Sequence, residues 1–299
     1  MVRARAIGAL SDAAAWPHPV YTPEQMDSIT VAHRNAQNWS DWVALSAVRL
    51  LRWSFDLVTG YKHDHAVALG MKDPAAANQK YAMTEDKWCI RFIFLESIAG
   101  VPGMVGGMVR HLQSLRCLRR DNGWIETLLE ESQNERMHLL TFLKFRDPPA
   151  GPFMRLAILG AQGVFTNLFF FCYLLSPRTC HRFVGYLESE AVITYTRAIA
   201  DLEAGKLPKW ENMKAPAIAR DYFKMKDGED SVLDLLKQVR ADEAKHCEVN
   251  HTLANLDQKV DVNPYNAVWN GEGPRPVKGL DWVKPTGWER EEVAPAKKA

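Results

Sequence analysis

Through the middle of the chain apolar residues recur at three- and four-residue steps, the spacing of an amphipathic helix, and no stretch alternates apolar and polar positions as a strand does. The pattern predicts six long helices, near residues 39–60, 88–117, 122–145, 152–175, 178–204 and 229–256. "DNG", "RDPPAGP", "LLSPRTC" and "KDGEDS" punctuate them with residues that break helical runs. Ser231 and Asp234 have the spacing of a capping pair that would start the last helix. Residues 1–38 read as an extended N-terminal arm and 39–257 as an all-α domain. Residues 258–299 read as an extended tail, in which Pro264, Pro274, Pro276, Pro285 and Pro295 rule out long helices.

Three of these segments are unusual. Between Arg155 and Arg178 no residue carries a formal charge for 22 positions, enough on length alone to cross a bilayer. "WSDWVALSAVRLLRWSFDLVTGY" sets Trp, Leu, Val and Phe on one side and Arg49 and Arg52 on the other, the pattern of a helix lying in a membrane interface. "RFIFLESIAGVPGMVGGMV" is apolar and small except for one acid, Glu96, and its place there calls for a reason. Composition adds little: 47% hydrophobic and 24% charged residues suit an ordinary folded chain. With 37 Lys+Arg against 36 Asp+Glu the net charge is +1, so no nucleic-acid partner is expected. Five scattered cysteines without a CxxC pair point to reduced thiols. "MVRARAIGAL", with two arginines and no acid before Asp12, echoes an organelle transit peptide.

The chemistry lies in the acids and histidines. "EESQNERMHLL" holds Glu135 and His138, and "RADEAKHCEVNH" holds Glu243 and His246, both as Glu-x-x-His. Positions i and i+3 lie about 60° apart on a helix, so carboxylate and imidazole can grip one cation. A ferritin-like bundle with two metals needs one more carboxylate from each of two other helices. Glu96 fills one vacancy, and "GYLESEAVITYTRAIA" offers Glu188 or Glu190 for the other. Four carboxylates would balance the charge of two divalent ions while two imidazoles complete the shells, and this mixed ligation suits iron or manganese. The expected fold is therefore a ferritin-like four-helix bundle holding a di-iron site, plus two extra helices that form a membrane-facing apolar surface. A single bilayer crossing by residues 156–175 would separate Glu135 and His138 from Glu188, so that helix is expected to lie on one leaflet. Arg110, Arg116, Arg119 and Arg120, just after the Glu96 segment, are expected either to meet lipid phosphates or to form a plain solvated face.

"FLESIAGVPGMVGGM", "EESQNERMHL", "LESEAVITY" and "RADEAKHCEVNH", in this order between about residues 85 and 255, resemble the alternative oxidases. The resemblance implies a non-haem di-iron enzyme of the mitochondrial inner membrane, monotopic on its matrix side and homodimeric. It would oxidise ubiquinol and reduce oxygen to water, insensitive to cyanide and without pumping protons. The implied ligands of the two iron ions are Glu96, Glu135, His138, Glu188, Glu243 and His246. The family usually has three consecutive acids where this chain reads Glu188, Ser189, Glu190, and its pattern selects Glu188. Tyr195, seven residues on and so on the same helix face, resembles the family's redox-active tyrosine. Arg91, Leu95, Ala191 and Thr194 match the family's quinol pocket, and Asn134 and Asp242 are expected to support the ligands. Glu131, His63, His65, His181 and His251 are left outside the site. With no cysteine before Cys89, disulfide control of a dimer is not expected. A plastid-type plastoquinol oxidase and a di-iron quinone hydroxylase are the rival readings, and an iron-storage protein is disfavoured by the long uncharged helix.

Overall fold

The computed structural model describes residues 14–62, 82–145, 151–266 and 284–293, which contain ten helices and no strand. They are α1 (Pro23–Asp27), α2 (Trp39–Thr59), α3 (Glu85–Cys117), α4 (Trp124–Phe145), α5 (Pro152–Leu175), α6 (Pro177–Glu203), α7 (Pro208–Glu211), α8 (Ala217–Phe223), α9 (Val232–Asn255) and α10 (Arg290–Val293). The six long helices are those that periodicity predicts, and α9 does begin at a capping box of Ser231 and Asp234. The tail prolines 274, 276 and 295 and the pair His63 and His65 lie outside the described residues.

Two tightly packed pairs, α3 with α4 and α6 with α9, form the bundle. Glycine makes each pair close. A Cβ on Gly103 would sit 2.4 Å from the Leu128 carbonyl oxygen, and one on Gly107 would sit 2.9 Å from Leu129 Cδ2. The small-residue stretch after Glu96 is thus a place where the α3 backbone lies against α4. In the second pair the ring of His251 fills the space beside Gly185, where a Cβ would stand 2.5 Å from Nδ1. One end of the bundle is closed by an apolar core in which Trp88, Phe92, Phe142 and Leu202 meet Phe223 and Leu236.

The two remaining long helices flank this bundle. α2 packs on α6 through Ala44, Leu45 and Val48 against Tyr186, and a buried ion pair joins Arg182 Nε to Asp41 Oδ1 at 2.9 Å. α5 packs on α3 through Phe169 and Tyr173 against Val105 and Val109. Their other faces are bare: Trp53 and Val58 on α2, and Phe153, Leu156, Val164 and Leu175 on α5, are each more than half exposed. An apolar surface this wide is what a protein–lipid or protein–protein contact covers.

Two expectations change. Arg110 is buried, pairs with Asp121 at 2.8 Å and lies over the Trp124 ring, so it does not face outward with Arg116, Arg119 and Arg120. Arg52 likewise turns inward from α2 to Asp56 and Glu190. The described parts of the arm and tail are tied to the domain as well. Arg34 of the arm donates to the Thr286 carbonyl of the tail, and buried Glu248 accepts from Tyr265, the Trp288 indole and the Lys284 backbone.

Candidate metal centre

Each bundle helix contributes to one buried cluster. α3 supplies Glu96, α4 supplies Glu135 and His138, α6 supplies Glu188, and α9 supplies Glu243 and His246, all less than a tenth exposed. The Gly100 Cβ position lies 3.5 Å from Glu135 Cβ, so the close approach of α3 to α4 is what brings the first two acids together. The six residues form two groups of candidate ligand atoms. Glu96, Glu135, His138 and Glu243 make one group, and Glu135, Glu188, Glu243 and His246 make the other, each within 4.8 Å throughout. Glu135 and Glu243 belong to both.

The shared acids straddle the two histidines. Glu135 places Oε2 3.6 Å from His138 Nδ1 and Oε1 2.7 Å from His246 Nδ1. Glu243 places Oε1 3.2 Å from His138 Nδ1 and Oε2 3.9 Å from His246 Nδ1. Both Nδ1 atoms, both Glu135 oxygens, Glu96 Oε2 and Glu243 Oε1 are buried without a properly aligned hydrogen-bond partner. Stranding this many polar atoms would be costly, whereas lone pairs converging in two adjoining groups that share Glu135 and Glu243 fit a pair of divalent cations.

Electrostatics fit the same reading. Burial, then Glu135 and Glu243, pushes the Glu96 carboxyl well above the ordinary range, and burial with Glu243 does the same to Glu188. Burial would also raise Glu135, but His138 and His246 overcome it and hold that carboxyl low. Burial opposes charge on His246 too, yet Glu135 and its neighbours lift it to about 10. Cations bound among these groups would favour the ionised carboxylates and neutral imidazoles, so metal binding at this cluster competes with protons.

Of the two expected supports, Asp242 lies against His138 and Asn134 lies against Asp242. Asp242 Oδ2 accepts from His138 Nε2 at 2.9 Å and from Asn134 Nδ2 at 3.0 Å. Its other oxygen accepts from His18 Nε2 and Tyr21 Oη, each at 2.9 Å. Nothing in the sequence marks these two donors, since they lie in an aperiodic stretch more than two hundred residues away. Glu131, set aside in the sequence, is buried beside the cluster. Both its oxygens accept from Asn250 Nδ2, and burial, partly offset by His246, raises it to about 7. His181 and His251 stay outside the cluster in buried structural contacts.

Tyr195 Oη donates to Glu96 Oε1, and its ring stacks on Phe92 at 4.7 Å. Burial, followed by Glu96 and Glu243, raises the phenol well above its usual value, so it keeps its proton. Above it opens an apolar cavity of about 410 Å³. Glu96, Glu188 and Tyr195 line its inner end, while the exposed side chains of Leu51 and Val58 on α2 and Val164 and Leu168 on α5 line its mouth. Arg91, Leu95, Ala191 and Thr194 all contribute to its wall. Arg91 is already engaged with Asp56 and Thr59, between the rings of Phe55 and Tyr61. Glu190, the alternative ligand, is in this wall rather than in the cluster, where it accepts from Arg52 Nη1 at 3.2 Å.

The alternative oxidase family model matches residues 21–255, which include all four cluster helices. The chain belongs to that family. The mitochondrial alternative oxidase of Emericella nidulans is 65% identical over 280 residues, covering 93% of this chain and 77% of the relative. That of Venturia inaequalis is 63% identical with the same coverage, and that of Yarrowia lipolytica 56% identical over 94% of this chain and 76% of its own. As an alternative oxidase the chain is an oxidoreductase, and its buried Glu/His cluster is able to hold metal.

Proposed function

We propose that this alternative oxidase couples ubiquinol oxidation to the reduction of oxygen to water at a pair of iron ions held by Glu96, Glu135, His138, Glu188, Glu243 and His246. The observation that carries this reading is the joining of two ligand groups, sharing Glu135 and Glu243, to an apolar cavity that opens between exposed apolar helices. Bound there, two irons would supply the oxygen-activating redox chemistry that side chains lack.

The chain's own residues do the rest. Leu51, Val58, Val164 and Leu168 admit a hydrophobic ring and tail from the lipid side. Leu95 and Ala191 pack the ring, while Arg91 and Thr194 offer polar atoms near its oxygens. Tyr195 holds a phenolic proton at Oη with Glu96 Oε1 as acceptor, so an electron and a proton can leave it together. Asp242 and Asn134 hold His138 in orientation. Two quinols give four electrons and four protons to one oxygen, which makes two waters and requires no proton to cross a membrane.

The apolar faces of α2 and α5 fit a monotopic protein on one leaflet, and the mitochondrial relatives suit the matrix side of the inner membrane. A homodimer completes the proposal. The test is oxygen uptake with ubiquinol and cyanide. Wild type is expected to sustain it and to yield quinone rather than a hydroxylated ring. Glu135→Ala should fall by at least about a thousandfold, as loss of a carboxylate common to both ligand groups implies. Full turnover in that variant would refute the assignment, and unchanged Tyr195→Phe kinetics would remove only the role of the phenol.

A further inference from the structure

The N-terminal arm reaches Asp242, the hydrogen-bond partner of His138, through residues that take no part in the quinol cavity. His18 is 4% exposed and wedged among the rings of Tyr21, Tyr222 and Phe223 at 5.0, 5.2 and 4.7 Å. Its Nδ1 accepts the backbone N–H of Val20 at 3.0 Å, which leaves the ring proton on Nε2, aimed at Asp242 Oδ1 2.9 Å away. Val20 makes that bond from a φ of 59°, a left-handed conformation that a β-branched residue adopts only under constraint. The arm is therefore bent locally in the way that fixes the His18 tautomer.

Four donors saturate Asp242: His18 and Tyr21 on Oδ1, Asn134 and His138 on Oδ2. The proton on His138 Nε2 leaves Nδ1 as the atom facing Glu96, Glu135 and Glu243 at 3.5, 3.6 and 3.2 Å. Without His18 only the Tyr21 hydroxyl would remain on Oδ1, and a carboxylate held there by one donor turns more freely about its Cβ–Cγ bond and holds the imidazole less firmly. We propose that His18 is a positioning residue for the metal centre: through Asp242 it fixes the ring orientation and the ligating nitrogen of His138. The site then extends into residues 14–20, which precede the stretch that the family model matches. This inference rests on the metal-centre reading above.

The experiment compares the iron-loaded full chain as wild type, His18→Ala, His18→Gln, Tyr21→Phe and Glu135→Ala. Iron affinity is read by chelator competition, cluster geometry by the mixed-valent electron paramagnetic resonance spectrum, and turnover by kcat and quinol KM. His18→Ala should weaken iron binding about ten- to hundredfold, alter the spectrum, and lower kcat per bound iron with KM held within about twofold. His18→Gln, whose amide N–H overlays the Nε2–H, should recover most of the loss. Wild-type iron affinity and spectrum in His18→Ala overturn the inference, even if the melting temperature falls. Should that variant fail to fold, Tyr21→Phe deletes a donor to the same oxygen with almost no change of shape. The same spectral shift in smaller measure is expected there, and an unchanged spectrum overturns the inference. Glu135→Ala separates the two levels. If it binds iron normally, the metal centre itself is misassigned; if it loses iron while His18→Ala keeps it, only the role of His18 fails.

Discussion

α3 and α5 are equally apolar over their most hydrophobic 18 residues, yet 50% of that stretch is buried in α3 and 11% in α5. One carries Glu96 into the centre of the bundle; the other presents Phe153, Leu156, Leu159, Val164, Phe171 and Leu175 outward. Hydropathy reports that a helix avoids water, not whether protein or lipid replaces it. What distinguishes the two is the use of glycine. Gly103 of α3 has no room for a Cβ and one on Gly107 would have to displace Leu129, whereas Gly160 and Gly163 of α5 have nothing within 4 Å. Small residues in α3 are demanded by a neighbour, and those in α5 are not.

The strongest way to break this contrast is at Gly103. Its Cβ would meet a backbone carbonyl oxygen, which has no rotamer to move into, so α3 and α4 must separate. Gly103→Ala is expected to cost about 3 kcal/mol or more, the upper end of overpacking effects, and to weaken metal binding because Glu96 and Glu135 lie on the separated helices. Chemical denaturation and iron titration measure the two effects. A variant within about 0.5 kcal/mol of wild type would show that the close approach is not required.

A second test concerns how α5 is attached. Only Phe169 and Tyr173 of that helix are buried, and Tyr173 Oη bonds His181 Nε2 at 3.0 Å. His181 also meets Asn250 Oδ1 at 3.2 Å, and burial pushes it down to about 3. The unfolded chain takes up this proton near the ordinary histidine value of about 6.5. The contribution is therefore complete above that pH and is lost on acidification, by about 2 kcal/mol between pH 7 and 5. Denaturation midpoints of wild type and His181→Gln at the two pH values should differ by that amount, with the variant less sensitive to acid.

The contrast also shows what the sequence could convey. Long helices were legible because three or more turns give periodicity a measurable phase, and the observed bounds fall within three residues of those expected. α1, α7, α8 and α10 span at most seven residues and leave no such signal. The Glu-x-x-His units were legible because they are local: their geometry follows from one helix. The choice between Glu188 and Glu190 did not follow from the chain's own periodicity, since both are acids in one helix; only the family resemblance pointed to Glu188, and in the fold the neighbours decide. Residues two apart point about 200° apart, and the structure buries Glu188 in the cluster while Arg52 takes Glu190. Arg110 shows the same limit. Its charge was visible, but the turn that brings Asp121 back to it was not.

A smaller effect is expected from charging the outer face of α5 away from the cavity. Leu159→Asp combined with Phe171→Asp should reduce binding to phospholipid vesicles by about tenfold or more, since each removes apolar area and adds a charge that an interface resists. Because both side chains are exposed, the melting temperature should change little. Undiminished vesicle binding would mean that this face meets something other than lipid.

The smallest effect is the most discriminating. Gly163→Ala places a methyl where no atom stands within 4 Å, inside a helix whose backbone glycine leaves more mobile when unfolded. Helix propensity alone then applies, and stability should rise by about 0.5–1 kcal/mol. The same substitution at Gly103 is expected to have the opposite sign and several times the size, although both positions are glycines in equally hydrophobic helices. Parallel denaturation curves for the two variants measure this difference directly. If both destabilised alike, α5 would have a packing partner at Gly163 comparable to α4 at Gly103, and its bare face would be a protein interface.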